Sequence, residues 1–284
     1  MPHCSLMFIF SVLAIVTYSS HAENKLTEKP LDVGVVPYIS ARAVIANFEP
    51  LRLHLEQVLG KPVKIYTSTG FKQFYSNAQR GEYDLVISAA HIARILQTEN
   101  KFNPLVKLSP AVHALIMTNS QSPLTTAHEL KEKTLAVPDK LALASIVAMS
   151  WLRENGMRPG IDYKVLEVPS FSSALLAMQK GDAVAAISVP PVLMQIPKEL
   201  RESTKELIDA GEFLSFIFLT HPRMASSDTV LLSKALLKFN NESNLGKQFF
   251  INTGFGSIIP LTPKDMPDLD RYAVETKRLL EELN

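Results

Sequence analysis

Along Val63–Ser88 the spacing of apolar positions changes period twice. Val63 and Ile65 alternate with polar neighbours, as in a half-buried strand. Past the polar run Thr67-Ser68-Thr69-Gly70, the residues Phe71, Phe74, Tyr75 and Ala78 recur at helical spacing. Gly81 stands where a helix ends on a left-handed residue, and Leu85-Val86-Ile87 reads as a short buried strand. The same rhythm returns over Tyr163–Ser188. Without a gap, Lys64 aligns with Lys164, Phe71 with Phe171, Gln79-Arg80-Gly81-Glu82 with Gln179-Lys180-Gly181-Asp182, and Ile87-Ser88 with Ile187-Ser188. Val36-Pro37 and Val137-Pro138 stand upstream of the respective copies. A strand–helix–strand unit that occurs twice, each time within about a hundred residues, predicts two α/β lobes of ordinary domain size.

The flanking pattern predicts how the lobes are joined. Asp32–Pro37 reads as a short buried strand, followed by a helix that carries Leu51, Leu53, Leu55 and Leu59, stops at Gly60 and takes Pro50 at or near its first position. Asn103–Thr118 has strand character and is placed at the first crossing between lobes, while the apolar run Phe213–Leu219 is the natural return. Ser145–Asn155, Ser233–Phe239, Leu245–Phe250 and Asp268–Leu283 are expected to be helical, and Gly254–Pro260 a loop or edge strand. The expected organisation is a leader over 1–22, a first lobe from 23–112 and 217–284, and a second lobe over 113–216. Two crossings then form a hinge.

Composition narrows the classes. The 284 residues are 46% hydrophobic and 20% charged, which is ample for a core. Lys and Arg number 29 against 28 Asp and Glu, so the formal charge is +1, and no dense basic run points to nucleic acid. The single cysteine, Cys4, excludes a disulfide framework within the chain. Leu6–Tyr18 is apolar but short for a membrane span, and Ser19-Ser20-His21-Ala22 fits a small-residue cleavage site, although Met1–Ser5 lacks Lys or Arg. The expectation is a secreted leader removed after Ala22 and a cysteine-free, monomeric protein in the periplasm.

In open α/β sheets, ligands sit outside the carboxyl ends of the strands. Applied to both copies, that rule selects Tyr38, Ser40, Ser68, Thr69, Ser88 and His91 from the first lobe. From the second it selects Asp139, Ser145, Ser170, Phe171 and Ser188. Hydroxyls beside the free N–H groups of helix N-termini suit an anionic or oxygen-rich ligand. Each residue also has a structural reading: Ser68, Thr69 and Ser170 as N-caps, Tyr38 and Phe171 as packed rings, His91 as a satisfied buried histidine. The chain has no G-x-S-x-G, P-loop, H-E-x-x-H or G-x-G-x-x-G context, and its seven histidines show no metal-ligand spacing. No catalytic residue, metal or cofactor is therefore expected.

The segment VGVVPYISARAVIANFEPLRLHLEQVLGKPV, followed by RGEYDLVIS and a histidine, resembles the periplasmic phosphate/phosphite/phosphonate-binding proteins of ABC transporters. HELKEKTLAVPD resembles the start of the second lobe in that family and in type II periplasmic binding proteins generally. The resemblance runs from about Asp32 to about Pro190 and is strongest in the first lobe. It implies a two-lobed α/β clamshell, each lobe a mixed sheet flanked by helices, that closes on a small, polar, anionic ligand and docks on a membrane permease. In the family a Ser/Thr-rich stretch at the first helix of the second lobe holds the phosphonate oxygens; here that stretch reads Asp139-Lys140-Leu141-Ala142-Leu143-Ala144-Ser145. Tyr38 fits the family's aromatic position and His91 its strand-end site. Two other roles fit the same residues: a sensor module reporting to a membrane kinase, and a secreted α/β enzyme with a nucleophile–base pair across the cleft.

Overall fold

Two sheets take the chain in turn. The computed structural model describes residues 29–240 and 243–282, so the expected leader lies outside the described residues. The chain begins with β1 (Leu31–Val35), α1 (Ala41–Leu59), β2 (Val63–Tyr66), α2 (Phe71–Gln79), β3 (Leu85–Ser88), α3 (Ala90–Asn100) and β4 (Asn103–Ser109). It then crosses to β5 (Val112–Asn119), β6 (Thr134–Pro138), α4 (Leu143–Glu154), β7 (Lys164–Val168), α5 (Phe171–Lys180), β8 (Ala185–Ser188), α6 (Pro190–Gln195), α7 (Lys198–Glu202) and β9 (Thr204–Phe213). It returns through β10 (Ile217–Thr220), α8 (Ser226–Lys238), α9 (Asn244–Thr253), β11 (Ser257–Pro260) and α10 (Asp270–Glu282).

The six-stranded sheet has the order β11-β4-β10-β3-β1-β2 and the five-stranded sheet β7-β6-β8-β5-β9. The duplicated unit is laid out identically in both. β1 runs parallel between β2 and β3, and β6 runs parallel between β7 and β8. Beside each trio lies an antiparallel strand delivered by a crossing: β10 places Ile217 opposite Ser88, and β5 places Leu115 opposite Ser188. The crossings themselves are short, residues 110–111 outward and 214–216 on return. Fully buried Leu85, Val86 and Ile87 fill the centre of the first sheet, and Ala185, Ala186 and Ile187 that of the second, as strands covered on both faces require.

The first helix departs from expectation. It does not start at Pro50; α1 begins at Ala41, where the Ser40 hydroxyl accepts the Ala43 N–H, and Pro50 lies in its interior. Proline there forfeits a backbone bond and disfavours a helix by about 3 kcal/mol. The buried stripe of Val44, Phe48, Leu51 and Leu55 offsets this, with Phe48 edge-on to Phe249 of α9 at 5.2 Å. Gly34 on β1 is required for a different reason. The Tyr83 ring, stacked on Phe74 at 5.7 Å, occupies the space a side chain would take, and a Cβ at Gly34 would lie 2.4 Å from it.

Candidate functional site

The carboxyl ends of the parallel strands face one another across a cleft that backbone and side chains close from both sides. Asp139, which follows β6, extends its Oδ2 to accept the Phe71 N–H at 2.8 Å, capping α2 of the opposite lobe. Its Oδ1 accepts the Leu141 N–H, which fixes the side chain. The Nε2–H of His91 on α3 is donated to the Leu141 carbonyl at 2.8 Å. The Phe171 N–H, first in α5, is donated to the Tyr38 carbonyl at 3.3 Å. Gln195 at the end of α6 completes the set. Its Oε1 accepts from the Tyr38 hydroxyl at 2.9 Å and from Asn47 Nδ2 at 2.8 Å, and its Nε2 donates to the carbonyl of Thr253.

Inside this closure lies a chamber lined by the aromatic residues Tyr38, Phe71, Phe171, Phe213, Phe216 and Phe255. Its enclosed space is small, about 40 Å³. The starts of α3 and α4 contribute Ala89-Ala90 and Ala142-Leu143-Ala144, and residues in or next to the two crossings, Val112 and Phe213–Phe216, form part of the lining. Tyr38 packs edge-on to Phe216 at 5.1 Å, and burial raises its pKa so that the phenol remains a donor. His91 is neutral for the same reason: burial lowers its pKa to about 4, against the opposing pull of the Leu141 carbonyl.

The residues selected from sequence fall into three groups. Tyr38 and Phe171 line the chamber, and His91 and Asp139 join the lobes beside it. Ser88 and Ser145 are buried with their hydroxyls donated to the carbonyls of Ala89 and Pro138, while Ser188 is buried with no partner among the described residues. Ser40 and Ser170 cap α1 and α5, Ser68 bonds Tyr83 and Asn77, and Thr69 lines a separate, more open groove with Asp139, Lys140 and Glu167. Sequence reasoning missed Asn47, Gln195, Ser215, Phe216 and Phe255. Ser215 and Phe216 were hidden in an apolar run read as one strand, and no local signal marks Gln195. Among the described residues no group of three or more His, Cys, Asp or Glu could hold a metal, and no helix is long and apolar enough to cross a membrane.

Comparison with known proteins agrees with this geometry. A family described as "ABC transporter, phosphonate, periplasmic substrate-binding protein" matches residues 33–266. A binding-protein component of an ABC phosphonate transporter from Pseudomonas aeruginosa superposes with a TM-score of 0.74 at 12% identity, covering 90% of this chain and 99% of its own. PhnD1 from Prochlorococcus marinus, in complex with methylphosphonate, gives 0.77 at 14% identity over 89% and 98%. The alkanesulfonate-binding protein SsuA from Xanthomonas axonopodis pv. citri, bound to MOPS, gives 0.63 at 18% over 88% and 94%. At these identities the superpositions establish the fold: two mixed sheets flanked by helices, as in type II periplasmic binding proteins.

Proposed function

The chain belongs to the family of phosphonate periplasmic substrate-binding proteins of ABC transporters, and from that premise we propose that it captures a small anionic solute between its lobes, in the periplasm, and delivers it to a membrane permease. The observation that carries this reading is the chamber at the strand ends, beside contacts that join the two lobes. The first turns of α3 and α4, whose leading residues stand along the chamber wall, carry no side-chain caps, and uncapped helix N-termini suit an anion. Among the described residues, His91 presents its Nε2 to a backbone carbonyl across the cleft and not to a serine hydroxyl. Members of this family are transporter binding proteins, not enzymes.

A thermal-shift screen tests the proposal. A solute bound only by the folded chain at a hundred times its Kd adds about 2.7 kcal/mol of stability. Phosphate, phosphonates, sulfonates, carboxylates and amino acids form the panel, and at least one class should raise the melting temperature. Silence across the panel would remove the transport reading.

A further inference from the structure

The second lobe reaches the first through α6, which opens on Pro190-Pro191 and ends on Gln195. The side-chain amide of Gln195 offers two acceptor positions and two donor hydrogens, and all four are taken. Its Oε1 accepts from the Tyr38 hydroxyl at 2.9 Å and from Asn47 Nδ2 at 2.8 Å. Its Nε2 donates to the carbonyls of Thr253 at 2.6 Å and Pro191 at 3.1 Å. Only the Pro191 bond stays within the second lobe; the other three cross to the first. Turning the amide over would set its oxygen against two carbonyl oxygens, so these partners fix its orientation. Thr253 is the last residue of α9, and its carbonyl is one that the helix itself leaves unpaired.

The backbone of the first lobe is shaped to the same contact. Gly254 ends α9 in the left-handed region, at φ 71°, and a Cβ there would stand 2.9 Å from Met194 Cγ and 3.3 Å from the Pro191 Cα. Glycine is thus required twice, by the turn and by the approach of α6. Tyr38 is 2% exposed, and burial keeps its phenol protonated. That hydroxyl has one proton, and Gln195 takes it. We propose that Gln195 is the positioning residue of closure: it holds the Tyr38 ring in the chamber wall by its hydroxyl and ties α6 to the first lobe. The Tyr38 hydroxyl thereby serves the opposite lobe, and a solute meets the ring alone. Opening the cleft strips the Gln195 amide of three of its four partners. This device is independent of which solute the chamber takes.

Distances between two spin labels test the inference. β2 and β7 lie at the sheet edges away from the strands that carry the crossings, so they travel most when the lobes part. Exposed Lys64 and Lys164 on these strands take the labels, as Lys64→Cys and Lys164→Cys with Cys4→Ser. The purified protein should show a population at the separation of the closed form. Gln195→Met keeps the length of the side chain and removes its four bonds; it should shift the closed-to-open ratio about tenfold or more toward open. Tyr38→Phe should shift it about two- to tenfold alone and no further in the Gln195→Met background, where the hydroxyl has no amide to lose. Gly254→Asn keeps a left-handed helix end but fills the space α6 occupies, and should open the lobes with Gln195 intact. Should Gln195→Met fail to fold, Gly254→Asn and Tyr38→Phe decide, and an unmoved ratio in both overturns the inference. It is equally overturned by the absence of a closed population, by additive effects of Gln195→Met and Tyr38→Phe, or by a Gln195→Met melting temperature that falls while the ratio stays. The receptor reading stands in each of these cases, because the thermal-shift screen decides it separately.

Discussion

The imidazole of His91 joins the lobes as a neutral donor to the Leu141 carbonyl, and its Nδ1 meets no partner among the described residues. Its pKa falls from an ordinary 6.5 to about 4. Above the ordinary value neither the folded nor the unfolded chain holds the proton. As pH drops below it the unfolded chain binds a proton that the native site refuses, so stability declines until the native pKa is reached. The loss attributable to this ring is about 3 kcal/mol. Urea unfolding across that range should show a wild-type decline steeper than that of His91→Gln, which keeps a donor without the titration. Equal slopes would place the ring in contact with water. At this scale the sequence exposed residue types but not their commitments. Ser88 and Ser145 could be placed at strand ends and helix starts, yet the carbonyls that take their hydroxyls are set by local backbone turns. Asp139 could not be recognised as a cap, because the helix it caps belongs to the other lobe.

Among the elements, the duplicated strand–helix–strand unit was the most legible, since period, glycine stop and apolar run recur in register. Its two copies differ in one demand: β1 needs Gly34 because Tyr83 lies over it. Gly34→Ala should destabilise the fold by about 1–3 kcal/mol through overpacking, read as a lower denaturation midpoint at unchanged slope. A neutral result would mean that the ring moves aside freely. The start of α1 was misread because proline favours first turns, whereas here the Ser40 cap and an unbroken buried stripe outweigh it. β9 escaped notice because Thr204–Phe213 forms an edge strand, where polar residues interrupt any alternation.

For the molecule as a whole, the bonds across the cleft define a closed form. The carboxylate of Asp139 on the Phe71 N–H is the charged member of that set, and such a bond contributes about 1.5–3 kcal/mol. Asp139→Ala should therefore shift the balance of open and closed forms about tenfold or more toward open. Small-angle scattering of the unliganded protein should record a larger radius of gyration in the variant, and a solute that stabilises the wild type should reverse it. Superimposable profiles would show that this carboxylate does not govern closure. Ser215 lies within the return crossing, between β9 and β10. A point at a fulcrum travels least when the jaws travel most. The stretch of chamber wall that Phe213–Phe216 supplies would thus hold its place while either jaw swings.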